Sequence, residues 1–262
     1  MTGIFRAAQA GVFAVFAVLI LAGQLAGQLS ASEGMLSKNL RIESKALGYA
    51  LQYRVYIPPG YENASNLPTI YMTDGQWYLE NGRMHTVIDA QIKKGAIKPV
   101  VAVFVDNRNP DKLDINRRNF QFMCVTEYAE FFRSDLVPAI TKDYKVSNDR
   151  TDRVILGLSF GGLNSGCFGI MANDVFEGIA MQSPAMHPVP SLQKAYAQEA
   201  KRPIKVFLSA GDEGEITRRT LKLKRTLEKK GYPVLFKRSR ESHNWRNWRP
   251  HLDDILVYYF KK

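Results

Sequence analysis

Runs of apolar residues alternate along this chain with longer segments in which apolar residues recur at helical spacing. The first run, 49–57, places Leu51, Tyr53, Val55 and Ile57 on one face of a strand and stops at two prolines and a glycine. Runs with apolar residues on both faces follow at 69–72, 100–105, 154–156, 178–181, 205–208 and 234–237. Such runs are typical of strands in a sheet that is covered on both sides.

Helical spacing appears between these runs. Apolar residues recur at near-helical intervals in 128–144, 163–171, 221–227 and 251–260. Strands that alternate with helices predict an α/β fold, with a mostly parallel central sheet and helices on both faces. The run at 49–57 is a candidate antiparallel strand at the N-terminal edge. The sequence shows no internal repeat and no low-complexity linker, so we expect one α/β domain over residues 33–262.

The N-terminal residues 1–32 are typical of a signal peptide. Arg6 supplies a positive charge, an apolar stretch runs from Ala10 to Ala22, and small residues follow at 30–32. The apolar stretch has the length of an export signal and is short for a membrane span. An uncleaved anchor helix is the alternative. In both cases we expect the domain outside the cytoplasm, periplasmic or secreted. With the signal peptide removed, we expect no membrane span in the mature chain.

The chain is basic, with a formal net charge of +11. Residues 1–32 hold one of the 36 basic residues and none of the 25 acidic ones, so the remainder carries +10. Such a charge favours anionic partners, but no nucleic-acid-binding motif accompanies it, and the basic cluster at 218–230 has the pattern of a solvated helix face. No zinc-type spacing and no phosphate-binding glycine loop occurs, so we expect no metal, no cofactor and no nucleic acid.

The two cysteines, Cys124 and Cys167, leave their pairing open. Export permits a disulfide. Cys167 falls in an apolar helical segment, where an unpaired cysteine is a common small core residue, and this favours the unpaired form.

Residues 157–162, Gly-Leu-Ser-Phe-Gly-Gly, carry the first candidate chemistry. They fit the Gly-x-Ser-x-Gly turn, in which a sharp strand-to-helix junction exposes the hydroxyl of the serine, here Ser159. The flanking positions need glycine because larger side chains would collide with the neighbouring backbone. A strand is expected before the turn and a helix after it. Ser159 is therefore a candidate nucleophile, and an ordinary serine in a glycine-rich turn is the alternative.

A serine nucleophile needs a base. In sites built on this turn the histidine follows the serine and the acid along the chain, which excludes His85. His243 lies just before the last helical segment and is the candidate general base. His251 is expected inside that helix, and His187 is a candidate for lining the pocket.

The acid that orients the histidine should follow a strand between Ser159 and His243. The run at 205–208 ends just before three carboxylates, Asp212, Glu213 and Glu215. Asp212 is the first candidate because it lies nearest the end of the strand. Glu213 and Glu215 stay open.

An oxyanion would need backbone donors. One candidate is the N–H of Phe160, directly after the serine, and the second is the N–H of Gln76, in a loop after the run at 69–72. Trp77, Trp245 and Trp248 are candidates for the substrate-binding surface, with plain packing as the alternative. The arginines at 108, 117 and 118 could meet an anionic group, although a solvated loop is the more ordinary interpretation.

Three motifs in the expected order resemble the putative-esterase family, which includes esterase D, the enterochelin esterases, some feruloyl and acetylxylan esterases and the mycolyl transferases. They are 71–76 (Tyr-Met-Thr-Asp-Gly-Gln), 157–162, and 243–249 (His-Asn-Trp-Arg-Asn-Trp-Arg), and the resemblance covers about residues 45–260. It implies the α/β-hydrolase fold, Ser159 as nucleophile, His243 as base, Gln76 as second oxyanion donor and a small-molecule ester as substrate. The acid varies in this family, so Asp212 is the least fixed assignment.

The resemblance predicts a serine esterase that forms an acyl-enzyme on Ser159. A siderophore trilactone esterase and an acyltransferase are the enzymatic alternatives. A binding module without catalytic activity on the same fold is disfavoured by the presence of the serine, the histidine and the glycines of the turn.

Overall fold

A computed structural model of the protein describes residues 33–212 and 214–262. The predicted signal peptide (1–32) and Glu213 lie outside the described residues. Within them, nine strands form one sheet in the order β1-β3-β5-β4-β8-β9-β10-β11, with β2 also paired to β3, and β6 and β7 form a separate hairpin. The strands are β1 (Met35–Leu36), β2 (Leu40–Glu43), β3 (Ala50–Ile57), β4 (Thr69–Met72), β5 (Val101–Asp106), β6 (Arg108–Asn109), β7 (Lys112–Asn116), β8 (Arg153–Leu158), β9 (Gly178–Gln182), β10 (Lys205–Ala210) and β11 (Val234–Arg238).

Six neighbouring strands of this sheet run parallel to one another, in the order β5, β4, β8, β9, β10 and β11. The next strand, β3, pairs with β5 in the antiparallel direction. Every residue of β4, β5, β8 and β9 is buried. This agrees with their sequences, because a parallel strand covered by helices on both faces is apolar throughout. The mostly parallel α/β sheet predicted from the sequence is confirmed, and the strand at 50–57 is antiparallel as expected. Its placement at the edge was wrong, because β1 and β2 pair with its outer side.

Helices cover both faces of the sheet. One core cluster packs the helices from α4 to α8 against one face, and a second packs α1, α2, α9 and α10 against the other. The helices are α1 (Gly75–Glu80), α2 (Met84–Lys93), α3 (Arg118–Gln121), α4 (Thr126–Glu130), a π-helical segment (Phe131–Leu136), α5 (Val137–Asp143), α6 (Phe160–Met171), α7 (Pro190–Gln198), α8 (Glu215–Lys229), α9 (Trp245–Trp248) and α10 (Leu252–Phe260). Among the described residues, no helix is long and apolar enough to cross a membrane.

The helical segment predicted over 128–144 is divided into α4, the π-helical segment and α5. Pro138 near the start of α5 lacks an N–H group and so removes one donor from the helical ladder, which favours a change of helix type there. Phe131, Phe132 and Leu136 are nevertheless all fully buried against the sheet. The apolar pattern therefore identified the buried face correctly but did not reveal the interruption.

Cys124 and Cys167 form a disulfide. The preference for an unpaired Cys167 was therefore wrong. Cys167 is a buried core residue of α6, as its apolar surroundings indicated, but Cys124 on the loop after α3 also reaches it. The bond fastens the segment between β7 and α4 to the helix that begins directly after Ser159.

Candidate active site

Ser159 occupies the sharp turn between β8 and α6. Its φ and ψ are 56° and −116°, a conformation that residues other than glycine rarely adopt. Its N–H donates to the carbonyl of Gln182 at 2.9 Å, and its carbonyl accepts the N–H of Ala185 at 3.0 Å. The strained backbone is thus held by the neighbouring strand β9 and the loop after it, and strain of this kind is concentrated at functional sites.

The glycines of this turn are required by close backbone contacts. A Cβ at Gly157 would lie 2.2 Å from the carbonyl of Gly161, and a Cβ at Gly162 would lie 3.0 Å from the carbonyl of Gln182. A Cβ at Gly161 would lie 3.0 Å from the hydroxyl of Thr73. The motif therefore lets the start of α6 approach both β9 and the loop that follows β4.

The ring of His243 faces the hydroxyl of Ser159, with its Nε2 atom 2.8 Å from Oγ. His243 belongs to a loop between β11 and α9 whose residues 240–244 are all exposed, which we call the His243 loop. The ring of Trp248 packs edge-to-face against the imidazole, with centroids 4.9 Å apart. The structure thus brings together the two residues that the sequence singled out as nucleophile and base.

Loss of solvent on one side of the imidazole, together with the positive charge of Arg118, lowers the pKa of His243 from its ordinary value of 6.5. Both causes disfavour the protonated ring. His243 is therefore neutral near pH 7, which is the state in which a ring nitrogen can accept a proton from a hydroxyl group.

Residues 73–77 join β4 to α1 and include the first turn of that helix, and they lie beside the turn at Ser159. We call this segment the Gln76 loop. Thr73, Asp74, Gly75 and Gln76 are buried, and the N–H of Thr73 donates to the carbonyl of Leu156 at 3.1 Å. A Cβ at Gly75 would lie 2.4 Å from the backbone of Phe104, so only glycine allows this loop to pack on β5. Gln76 lies in the first turn of α1, and Phe160 is the first residue of α6.

A buried ion pair supports the Gln76 loop. Arg118 Nε donates to Asp74 Oδ1 at 2.7 Å, and the two side chains are 11% and 0% exposed. Burial raises the pKa of Asp74 to about 6, while the charge of Arg118 acts in the opposite direction. The interpretation of Arg118 as part of a solvated loop was therefore wrong for this residue.

Aromatic rings surround the Arg118 guanidinium, whose central carbon lies 5.0 Å from the ring centre of Trp77 and 5.5 Å from that of Phe160. Trp77 is half-buried. Trp245 and Trp248 lie on the other side of the site, on α9, with their ring centres 5.6 Å apart. Trp248 is only 7% exposed, so it packs behind His243 rather than forming an open surface.

A cavity of about 470 Å³ opens beside His243. Asp212 and His187 contribute to its wall, and the His187 ring lies 5.7 Å from that of Phe160. The N–H of Asp212 donates to the carbonyl of Glu241 at 2.7 Å, so the end of β10 is fixed against the His243 loop. Asp212 as the acid stays a prediction, as do the alternatives Glu213 and Glu215.

The remaining histidines lie elsewhere. His251 is the last residue of a 3₁₀ turn before α10, is 7% exposed, and has Nδ1 3.3 Å from a carboxylate oxygen of Asp254. It is thus adjacent to the last helix rather than inside it. His85 belongs to α2 on the face of the sheet opposite α6. Among the described residues, no group of three or more histidine, cysteine, aspartate or glutamate side chains is placed to hold a metal ion.

Several buried polar residues that support the site were missed at the sequence level. Ser183 Oγ, at the end of β9, accepts the side-chain N–H groups of Asn247 at 2.9 Å and Trp248 at 3.3 Å. Asn247 also accepts the hydroxyl of Ser239 at 2.9 Å. No motif marks these residues, since each depends on contacts between segments far apart in the chain.

Comparison with known proteins agrees with this architecture. The family model described as putative esterase matches residues 44–259. The endo-1,4-beta-xylanase/feruloyl esterase of Xylanibacter ruminicola is 25% identical over 149 residues, which cover 51% of this chain but only 19% of that protein. The chain thus spans about a fifth of the length of this curated relative.

Two solved structures illustrate the similarity in fold. A ferulic acid esterase superposes with a TM-score of 0.75 at 20% identity, covering 87% of this chain and 98% of the other. The enterobactin esterase of Shigella flexneri, determined in the presence of enterobactin, superposes with a TM-score of 0.76 at 19% identity, covering 85% of this chain and 58% of the other. The match of the family model to most of the chain shows that this chain belongs to the putative esterase family.

Proposed function

We propose that this protein is a serine esterase that hydrolyses carboxylic esters through an acyl-enzyme on Ser159, with His243 as the general base. The observation that carries the proposal is the 2.8 Å contact between His243 Nε2 and Ser159 Oγ at a strained strand-to-helix turn. A nucleophile within hydrogen-bond reach of a neutral imidazole is the arrangement that activates a serine hydroxyl.

Acylation begins when Ser159 Oγ attacks the ester carbonyl carbon and His243 Nε2 takes the hydroxyl proton. The carbonyl oxygen becomes an oxyanion, which the N–H groups of Phe160 and Gln76 would stabilise. When the tetrahedral intermediate collapses, the bond to the leaving oxygen breaks, and that oxygen takes the proton from His243. The alcohol departs and the acyl group stays on Ser159.

Deacylation repeats the same steps with water as nucleophile. Neutral His243 takes a proton from the water, the hydroxide attacks the acyl carbon, and the protonated ring then returns the proton to Ser159 Oγ as the acid leaves. Exposure of residues 240–244 gives water direct access to the base. This access supports hydrolysis over transfer of the acyl group to another alcohol, which needs water to be excluded.

The walls of the site suggest where each half of the substrate lies. Trp77 and Phe160, beside Arg118, offer ring surface for an apolar or aromatic acyl group. The cavity beside His243 has polar side chains such as those of Ser242 and Thr217 in its wall, together with apolar surface. We place the leaving alcohol in this cavity, because His243 must return a proton to it. Esters of aromatic acids with hydroxylated alcohols are therefore the substrate class we propose.

The first experiment is hydrolysis of p-nitrophenyl acetate and butyrate by residues 33–262, beside Ser159→Ala. We expect a burst of p-nitrophenol followed by steady turnover, and a loss of about a thousandfold or more in Ser159→Ala, as for a missing nucleophile. Unchanged turnover in Ser159→Ala would refute the mechanism. If the unmutated domain hydrolyses neither these esters, nor an ester of an aromatic acid, nor a trilactone siderophore, ester hydrolysis itself is refuted.

The acid can be identified by comparing single carboxamide substitutions. We expect Asp212→Asn to lower kcat more than Glu213→Gln or Glu215→Gln, because Asp212 lies nearest the end of β10 and lines the same cavity as His243. An equal, small effect of all three would indicate that Ser159 and His243 work as a pair without an acid.

We also propose that residues 1–32 direct export and that the enzyme works in the periplasm or outside the cell. The apolar stretch that follows Arg6 supports this proposal, and the Cys124–Cys167 disulfide is compatible with an oxidising compartment. N-terminal sequencing of the protein from a fractionated cell tests the proposal. A mature chain that begins near residue 33 is expected, and full-length protein confined to the cytoplasm would refute it.

A further inference from the structure

The side chain of Gln182 joins segments on both sides of the candidate active site. Gln182 is the last residue of β9 and is completely buried. Its Oε1 atom accepts the hydroxyl of Tyr78 at 2.9 Å, and its Nε2 atom donates to the carbonyl of Trp248 at 2.7 Å. Its backbone carbonyl accepts the N–H of Ser159 at 2.9 Å. One residue is thus bonded to α1, to α9 and to the nucleophile turn.

Each of these bonds ends close to a group that the proposed reaction uses. Tyr78 is two residues after Gln76 in α1, and the Tyr78 ring packs edge-to-face on Trp245 at 5.5 Å. Asn244, directly after His243, caps the helix that contains Trp248, because its side chain accepts the N–H of Arg246. A shift of α1 or α9 relative to β9 would therefore move the Gln76 N–H or the His243 ring.

Both partners of the Gln182 amide belong to buried residues. Tyr78 is fully buried, and Trp248 is 7% exposed. A buried donor or acceptor that loses its partner costs the free energy of removing it from water, so both contacts are strongly favoured. The amide also has the right chemistry at each end, since the Tyr78 hydroxyl must donate and the Trp248 carbonyl must accept.

We propose that Gln182 is a positioning residue for ester hydrolysis, whose buried side-chain amide holds α1 and α9 in register with the nucleophile turn. Through these bonds it aims the ring of His243 at Ser159 and the N–H of Gln76 at the forming oxyanion. The inference rests on the proposed function, because it assigns Gln182 a role in that reaction. Misplacement of reacting groups by about 1 Å can lower a rate about a hundredfold.

The test is Gln182→Met, which keeps the length of the side chain and removes both hydrogen bonds. We expect kcat to fall about ten- to a hundredfold while KM changes less than about threefold, because the displaced groups act in the transition state. The rate at which a fluorophosphonate probe labels Ser159 should fall in parallel. Tyr78→Phe removes only one of the bonds and should give a smaller loss in the same direction.

The matched control is Tyr259→Phe. The Tyr259 hydroxyl donates to the carbonyl of Ile179 and accepts the N–H of Phe207, so this substitution removes partly buried bonds to β9 and β10 away from Gln182. Both variants lose stability, which urea unfolding measures, but only Gln182→Met should lower kcat. Equal kcat values for the two variants would overturn the proposal.

The outcomes also separate this inference from the proposed function. If the unmutated protein hydrolyses esters and Gln182→Met matches it in kcat, only the role of Gln182 is refuted. If the unmutated protein neither turns over esters nor reacts with the probe at Ser159, the serine mechanism fails and the inference fails with it. If Gln182→Met does not fold, the comparison of Tyr78→Phe with Tyr259→Phe decides, and equal kcat values overturn the role of Gln182.

Discussion

On one side of Ser159 the Gln76 loop is enclosed by protein, whereas on the other side the His243 loop lies at the surface. Thr73 and Asp74 are completely buried, and Arg118, which pairs with Asp74, is 9% exposed. Residues 240–244 are all exposed, and only the following residues Asn247 and Trp248 return to the core. The candidate active site is therefore assembled from one buried half and one exposed half.

The difference corresponds to the tasks of the two halves. Donors to an oxyanion act best when they are fixed before the reaction and shielded from water, so a buried ion pair beneath them is useful. A base that must pass a proton to an alcohol and take one from water needs contact with solvent. Substitutions on the buried side should therefore affect stability, and substitutions on the exposed side should affect turnover alone.

The largest effect expected on the exposed side is that of His243→Ala. Loss of the base should lower kcat by about a thousandfold or more. The free energy of unfolding should change by less than about 0.5 kcal/mol, because the residue is exposed and lies on a surface loop. Steady-state kinetics and urea unfolding measure the two quantities, and a large loss of stability would contradict the division between the halves.

On the buried side, Arg118→Met should destabilise the protein by about 3–5 kcal/mol, because it leaves the Asp74 carboxylate buried without its cation. Arg41→Met is the control: Arg41 pairs with Glu43 and Asp111 at the surface, where such pairs contribute less than about 1 kcal/mol. Urea unfolding compares the two variants. Similar losses of stability in the two variants would show that the buried Asp74–Arg118 pair stabilises the protein no more than a surface pair does.

The loss of stability caused by Arg118→Met should also depend on pH. The pKa of Asp74 is raised from 3.8 to about 6, so its contribution to stability is fully present below pH 3.8 and is lost as the pH rises through about 6. Removal of Arg118 takes away a charge that lowers this pKa and so raises it further. Unfolding measured at pH 5 should therefore show a smaller difference from the unmutated protein than unfolding at pH 8.

The disulfide is also expected to stabilise the buried half of the site. Cys124 and Cys167 enclose a sequence separation of 43 residues, and replacing both by serine should cost about 2–4 kcal/mol. Turnover under conditions where the variant is folded should stay within about threefold, because neither cysteine reaches the Ser159 hydroxyl through any described contact. Unchanged unfolding in the double variant, or in the unmutated protein under reductant, would show that the bond does not stabilise the fold.

The sequence predicted the exposed half of the site better than the buried half. Ser159 and His243 were identifiable because the proposed chemistry requires particular residue types in a known order, and the strands before them contain short apolar runs. Strand bounds agreed within two residues, from Thr69–Met72 to Val234–Arg238. These features are local, and local patterns can be read from a single chain.

The buried supports could not be predicted because they depend on pairs distant in the chain. Asp74 and Arg118 are 44 residues apart, and Gln182 meets Tyr78 across 104 residues. From the sequence alone, each of these residues could equally occupy an exposed position in a loop or at the end of a strand. The partner of Cys167 was missed for the same reason, since an apolar helix holds both paired and unpaired cysteines.

The smallest effect expected is a shift in the pH dependence of kcat/KM, and it tests whether the two halves communicate. The base must be neutral, and the loss of solvent on one side of the ring, together with the charge of Arg118, lowers the pKa of His243. The acidic limb of the profile should therefore have its midpoint below pH 6.5 and should move to higher pH in Arg118→Met, where that charge is gone. A midpoint above 6.5 in the unmutated enzyme would contradict this. It would instead indicate a carboxylate close enough to stabilise the protonated ring, and repeating the profile on Asp212→Asn would show whether that carboxylate is Asp212.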